Sequence, residues 1–309
     1  MIVVSGDCRL DGRQRGGVVA LGNFDGVHRG HQTVIGTAVA RARAEGRPAL
    51  VGTFAPHPAR YFLPEKPPFA LGSDQQKFEL LEALGVDTVV VIPFDAALAR
   101  LSASEFAADW LVGRMGIACA VTGIDFTFGR GRTGSVELLA RLGGTLGFAA
   151  EAVAPVADGG ERISSSRIRA ALVAGDAGEA ARLLGRPFAI RGPVLPGAQL
   201  GRSIGVPTAN QQLGDYVRPR YGVYAVRVRL PDGTLAKGVA NLGIRPMFEP
   251  PRELLETFVL DWSGDLYGRE IEVRLIEWLR PELRLDGLAA LKAQIAEDER
   301  RARRILEQA

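Results

Sequence analysis

Through residue 184, short unbroken apolar runs alternate with stretches of helical period. Val18-Val19-Ala20-Leu21, Leu50-Val51-Gly52-Thr53-Phe54, Thr88-Val89-Val90-Val91-Ile92 and Ala118-Cys119-Ala120-Val121-Thr122 are apolar on both faces. That is the pattern of strands covered by helices on either side. After the first run, Val34, Ala38 and Ala42 share one helical stripe, with Ile35 and Val39 beside it. Helices are predicted over 74–84 and 103–115, the latter opened by Ser102-x-x-Glu105. This is a capping box, in which side chains satisfy amides that the first helical turn leaves unbonded. The alternation predicts an α/β, Rossmann-like domain built on a parallel sheet, with ligands at the carboxyl ends of its strands.

A short helix over 177–184 leads to Gly185-Arg186-Pro187, where the period drops from helical to two. Tyr224, Val226, Val228 and Leu230 alternate with Ala225, Arg227 and Arg229, and the Pro231-Asp232-Gly233 turn follows. Leu255, Thr257 and Val259 alternate in the same way, as do Ile271, Val273 and Leu275. An amphipathic helix, capped by Asp286, closes the chain after Pro281. Many short strands and one helix predict a small antiparallel β-barrel. Two domains are expected, over 1–184 and 187–309.

The 309 residues are 47% hydrophobic and 24% charged, a globular composition. No apolar run approaches the roughly 18 residues a membrane span needs. The start of the chain lacks a basic segment followed by an apolar one, so no signal peptide is read. Cys8 and Cys119 have no metal-type spacing and are expected to be reduced thiols of a cytoplasmic protein. The net charge is +3, and Arg300, Arg301, Arg303 and Arg304 sit in the last helix without aromatic residues among them. Small polyanions, rather than nucleic acid or membrane, are the expected partners. Oligomeric state is not legible.

The candidate chemistry starts at Gly22-Asn23-Phe24-Asp25-Gly26-Val27-His28-Arg29-Gly30-His31, between the first strand and the first helix. Gly22, Gly26 and Gly30 allow backbone amides close to a polyphosphate, and a helix N-terminus favours an anion. The Gly-Lys-Ser/Thr of a Walker A loop is missing. His28 and His31 are two of only three histidines in the chain. Two imidazoles three positions apart, with a small residue between them, can donate to one phosphoryl group as charge builds on it. The third, His57, lies in Pro56-His57-Pro58 and reads as a rigid loop residue. At Ile163-Ser164-Ser165-Ser166-Arg167-Ile168-Arg169, hydroxyls and a guanidinium at a helix start can hold phosphates.

The first of these stretches resembles the signature of the HxGH nucleotidyltransferases, and in its fuller form that of bacterial FAD synthetases. Thr53-Phe54-Ala55-Pro56-His57-Pro58, Gly123-Ile124-Asp125-Phe126-Thr127-Phe128-Gly129 and the Ser-Ser-Ser-Arg-Ile-Arg segment are similar to further segments of that family. The resemblance implies that the phosphate of FMN attacks the α-phosphate of ATP, with Mg²⁺ on the phosphates and no enzymic nucleophile. It implies catalytic roles for His28, His31 and Arg167. It places ATP at Gly22, Asn23, Phe24, Gly26, Gly30, Ser164 and Ser165. For the isoalloxazine ring it offers Pro56, Pro58, Phe62, Asp125 and Phe128, and less strongly Phe106, although core packing is an alternative for each phenylalanine.

In the second domain, Gly201-Arg202-Ser203-Ile204-Gly205 runs into Pro207-Thr208-Ala209-Asn210, a tetrad that resembles the riboflavin kinase signature. The resemblance implies Mg²⁺ on Thr208 and Asn210, suited to a hard cation. It also places ATP at Gly201, Arg202 and Gly205. No histidine lies in this domain, and Glu256 in Leu255-Glu256-Thr257 stands where the family has its catalytic base. Asp265-Leu266-Tyr267-Gly268, Arg280-Pro281-Glu282 and the last helix also look like the family. Met247, Phe258, Pro196 and Ala198 depart from its usual residues. The motifs extend from about Val18 to Ile305, in the order of the bifunctional riboflavin kinase/FAD synthetases. The implied function is phosphorylation of riboflavin to FMN, then adenylylation of FMN to FAD with release of pyrophosphate. Two other readings stay open at this point: an FAD synthetase whose kinase half only binds flavin, and a non-catalytic flavin or nucleotide sensor.

Overall fold

A computed structural model of the chain describes residues 1–196, 205–245, 251–284 and 286–308. Two compact units emerge, Met1–Lys66 with Asp74–Ser164, and Pro67–Ser73 with Ser165–Ala309.

The first unit carries β1 (Ile2–Val4), β2 (Val18–Leu21), α1 (Arg29–Ala44), β3 (Ala49–Ala55), α2 (Pro58–Phe62), α3 (Asp74–Ala83) and β4 (Thr88–Pro93). After α4 (Ala96–Arg100) and α5 (Ala103–Phe106) come β5 (Cys119–Gly123), α6 (Val136–Leu146), β6 (Ala149–Val153) and the short pair β7 (Ala157–Asp158) and β8 (Glu161–Arg162). Six strands form one parallel sheet in the order β1-β4-β3-β2-β5-β6. The four expected strands are its centre; β1 and β6 are its edges. Val18 to Leu21 are buried on both faces, as the unbroken apolar run required. On one face Val34, Ile35, Ala38 and Ala42 of α1 pack with Val18, Ala20, Val51 and Val121. On the other, Leu111, Met115 and Leu139 pack with Val19, Leu21, Val90 and Ile92. Each large buried side chain there contributes about 1.5–3 kcal/mol of transfer free energy.

The Ser102–Glu105 capping box forms: Ser102 Oγ accepts from the Glu105 amide, and Glu105 Oε2 accepts from the Ser102 amide at 2.8 Å. The helix it opens widens after Phe106 into a π-helix over Ala107–Arg114, a departure that periodicity alone does not reveal. Cys8 and Cys119 are buried free thiols, and burial pushes both up from the ordinary thiol range.

The second unit starts with α7 (Ser165–Ala174) and α8 (Ala177–Leu184). Then follow β9 (Ala189–Pro193), β10 (Ala209–Gln212), β11 (Gly222–Arg229), β12 (Leu235–Arg245), β13 (Arg252–Val259), β14 (Glu270–Arg280) and α9 (Gly287–Gln308). The strands pair antiparallel in the order β10-β13-β12-β11-β14-β9. The ends of that order meet where the Leu195 amide donates to the Asn210 carbonyl at 2.8 Å, which nearly closes the barrel. Tyr224, Val226, Val228, Leu255, Thr257, Ile271, Val273 and Leu275 are buried, matching the period-two expectation. Val223, Ala225 and Leu279 pack outward against Ala302 and Leu306 of α9. Arg280 Nε and Nη2 tie β14 to α9 through Asp298 at 2.8 and 2.6 Å. In the basic stretch of α9, Arg303 pairs with Asp261 and Glu299, and Arg300 with Glu297.

Candidate functional site

The turn from β2 to α1 is held from below and within. The Gly22 amide donates to the Gly52 carbonyl at 3.1 Å, and Thr53 Oγ1 donates to the Asn23 carbonyl at 3.1 Å. Phe24 and Val27 are buried at φ +50 and +40. For a β-branched residue such as Val27 this is a costly backbone state, of the kind that clusters at functional sites. Asn23 Oδ1 is buried with no hydrogen-bond partner among the described residues.

His28 is the N-cap of α1: its Nδ1 accepts from the His31 amide at 3.2 Å. That bond fixes the tautomer, because a ring nitrogen that accepts carries no proton. The proton of a neutral His28 is therefore on Nε2. The His31 ring stacks on it, with centroids 3.5 Å apart and planes 19° apart, and the Phe24 edge abuts His31. Gly30 leaves room for this stack. A Cβ there would lie 3.2 Å from His28 Cε1 and 3.3 Å from Nδ1, and beyond them faces the Ile163 carbonyl at 3.7 Å. Next to it Arg29 pairs with Asp158 at 2.5 Å.

His57 is also a cap, its Nδ1 accepting from the Ala59 amide at 3.0 Å to start α2 with Pro58 in the first turn. The peptide bond between Ala55 and Pro56 is cis. Phe62, at the end of α2, is 62% exposed. It heads a run of touching rings: Phe62, Tyr61 and Phe94 lie 5.1–5.7 Å apart, and Phe94 leads through Phe54 and Phe106 to Phe128 and Phe126. Phe128 is 6% exposed and Phe106 4%, both within the core, so the open aromatic face is that of Phe62. Sequence reasoning does not single out Tyr61, Phe94, Phe54 and Phe126 as a group, because they converge from β3, α2 and the segments after β4 and β5. Asp125, just past β5, pairs with Arg162 at 2.6 Å.

Ser164 closes the first unit, and Ser165 and Arg167 open α7 of the second. There Arg167 Nη2 lies 2.6 Å from Glu179 Oε1 in α8, a carboxylate it shares with Arg182.

In the barrel, Gly201 and Arg202 lie outside the described residues, as do Ala198 and Met247. Gly205 is exposed at φ +85, open to substitution by no residue with a Cβ without strain. Thr208 is half-buried directly before β10, and Asn210 is buried within it. Register supplies the rest: Asn210 pairs with Glu256, and Glu256 with Asn241, so the three side chains form one row across β10, β13 and β12. Opposed residues in an antiparallel sheet share a face. The amide oxygens of Asn210 and Asn241 are both buried and make no hydrogen bond among the described residues. Glu256 Oε2 accepts from Arg245 Nε at 2.9 Å, with Nη2 at 2.8 Å from the same oxygen. Asn241 went unnoticed in the sequence, since only register brings it beside Glu256.

The family described as FAD synthetase matches residues 11–167, and the family described as riboflavin kinase matches residues 184–306. A bifunctional riboflavin kinase/FMN adenylyltransferase of Escherichia coli (strain K12) is 42% identical over 290 residues, covering 94% of this chain and 93% of its own. A protein of the same description from Pseudomonas fluorescens is 42% identical over 304 residues, covering 98% and 97%. A crystal structure described as a macrolide-efflux protein from Streptococcus pneumoniae superimposes with a TM-score of 0.89 at 31% identity, covering 98% of this chain and 99% of that one. That description speaks of efflux, whereas no helix among the described residues here is long and apolar enough to cross a membrane. Both family matches and full-length relatives agree in order and extent, and the chain belongs to the bifunctional riboflavin kinase/FMN adenylyltransferase family.

Proposed function

We infer that this chain makes FAD from riboflavin in two ATP-dependent steps, with the kinase over 187–309 and the adenylyltransferase over 1–184. The presence of two separate, differently built sets of site residues carries the reading. One is the stacked pair His28 and His31 at a helix N-terminus; the other is the Asn210–Glu256–Asn241 row on the barrel. A sensor has no need of both.

For adenylylation, an FMN phosphate oxygen forms a bond to the α-phosphorus of ATP as the bond to the pyrophosphate oxygen breaks. His28, through Nε2–H, and His31, stacked on it, both donate to the α-phosphate oxygens as their charge grows. The glycine-bearing turn and the N-terminus of α1 add oriented amides to the same charge. We assign Ser164, Ser165 and Arg167 to the departing phosphates, where hydroxyls and a guanidinium can meet the leaving charge. Phe62 stacks the isoalloxazine, with Pro56, Pro58, Asp125 and Phe128 shaping that end of the site.

For phosphorylation, Glu256 takes the proton of the ribityl hydroxyl through Oε1, because both Arg245 contacts fall on Oε2. Thr208 and Asn210 fit a Mg²⁺ ion: both offer neutral oxygen, and Asn210 Oδ1 is a buried acceptor with no hydrogen bond among the described residues. Mg²⁺ bound there would neutralise phosphoryl charge on ATP. Gly205, with Gly201 and Arg202, is assigned to ATP. Buried free thiols suit a reducing, cytoplasmic setting.

Purified protein given riboflavin, Mg²⁺ and ATP should yield FMN first and FAD after it on chromatography. A product mixture lacking FMN from riboflavin, or lacking FAD when FMN is supplied, removes the corresponding half of the reading. A finer expectation concerns Gly30→Ala. The added methyl must push the His28 ring by a few tenths of an ångström. FAD formation should fall about 10- to 100-fold, the scale set by small misplacements of catalytic groups. FMN formation and the thermal midpoint should stay near wild type.

A further inference from the structure

Glu282 follows β14 in the chain and lies beside the proposed kinase base. Its Oε1 accepts from Arg245 Nη1 at 2.7 Å and from Asn241 Nδ2 at 3.2 Å. Arg245 in turn holds Glu256 through Nε and Nη2. One guanidinium thus bridges two carboxylates, and it is itself largely buried, at 11% side-chain exposure against 28% and 38% for Glu256 and Glu282. The seat for Glu282 is provided by a glycine. Asn241, Gly243 and Arg245 alternate along β12 and so share a face. A Cβ on Gly243 would fall 2.4 Å from both Glu282 oxygens. Gly243 is not among the residues with positive φ, so the carboxylate is the obstacle to a side chain there.

We propose that Glu282 is a positioning residue of the kinase reaction, seated over Gly243 so that it anchors Arg245 beside Glu256 and orients the Asn241 amide. This rests on Glu256 being the base. Two consequences follow from the geometry. A carboxylate accepts, so Asn241 must turn its nitrogen to Glu282 and leave its oxygen, buried and with no hydrogen bond among the described residues, for a donor from substrate. In addition, Glu282 shares the Arg245 guanidinium with Glu256, so that one buried cation holds both carboxylates in place.

Other charged groups near this face are Arg252, in register with Arg245, and the trio of Tyr221, Glu253 and Arg218. The Tyr221 phenol is pushed up to about 12 by burial, then by Glu253, with Glu282 contributing. Arg280, two residues before Glu282, is held by Asp298. None of these is altered in the test.

The test measures kcat and KM for FMN formation in the full chain. Glu282→Gln, which keeps the shape and loses the charge, should lower kcat about 10-fold with KM for riboflavin and for ATP little changed. Gly243→Ala, which evicts the carboxylate without removing it, should lower kcat to a similar extent. Because Glu282 acts through Arg245, adding Glu282→Gln to Arg245→Gln should cost little beyond Arg245→Gln alone. FAD formation from supplied FMN reports the integrity of the rest of the chain and should hold in every variant. A wild-type kcat in both Glu282→Gln and Gly243→Ala overturns the proposal. So do losses that fall on KM alone or that multiply in the double variant, which are the signature of a merely structural contact. If instead Glu256→Gln retains FMN formation, the underlying assignment of the base fails, a separate outcome. Should Glu282→Gln fail to fold, Gly243→Ala decides alone.

Discussion

Replacing His28 and His31 together by alanine is expected to abolish FAD formation while leaving FMN formation within about twofold of wild type. Each hydrogen-bond donor aimed at developing charge is worth about 10²–10³ in kcat. Two donors on one phosphoryl group act as a unit, so their losses do not simply multiply. A fall of at least about 10³ is the expected floor. The two rings have unequal secondary roles. His28 caps α1 through Nδ1. Losing a cap costs about 1 kcal/mol of stability, so the double variant should also melt somewhat earlier. His28→Asn separates the two effects, because asparagine supplies a capping acceptor without an imidazole. Its melting point should return towards wild type and its FAD formation should not. Steady-state assays run separately on riboflavin and on FMN, beside thermal melts, check both points. Loss of both activities in a folded double variant would contradict the division of labour between the halves.

The parts of the molecule that local sequence dictates were legible. The unbroken apolar run Val18 to Leu21 becomes a strand covered on both sides, and the alternation from Tyr224 to Arg229 becomes a strand whose Tyr224, Val226 and Val228 are buried on one face while Ala225 lies under α9 on the other. The edges were not. In β6 the run Ala149-Ala150-Glu151-Ala152 carries helix formers, and it becomes a strand because its backbone pairs with Cys119 to Gly123. The helix over Val136–Leu146 was passed over, although Ser135 caps it and Gly147 ends it in the left-handed conformation. These signals stood in the sequence. The π-helix after Phe106 left none in the hydrophobic pattern.

Site residues divide along the same line. His28, Gly30 and His31 work within one turn, so their spacing announces them. Phe62 was anticipated from its loop, whereas Tyr61 and Phe94 join it through tertiary packing. Asn210 and Glu256 were found by motif. Their neighbour Asn241, and the Glu282 carboxylate over Gly243, depend on strand register and on the turn after β14, which no local pattern encodes.

Glu256→Gln is expected to cut FMN formation by about 10²–10⁴-fold, the range for loss of a positioned general base. The substitution keeps the shape and an acceptor for Arg245 Nε, so Arg245, with Glu282 still on Nη1, is not left without a charged partner. The barrel should remain folded, and KM for riboflavin and for ATP should change little beside kcat. FAD formation from supplied FMN should continue, since it draws on the β2–α1 turn. No other residue type easily takes over. The three histidines of the chain are His28, His31 and His57, so no imidazole exists among residues 187–309. Glu282 is bound to both Asn241 and Arg245. Residual activity should therefore stay low whatever the riboflavin and ATP concentrations. A variant that keeps a near wild-type kcat would place the base on another carboxylate, and Glu282, joined to the same guanidinium, would be the first to replace in its turn.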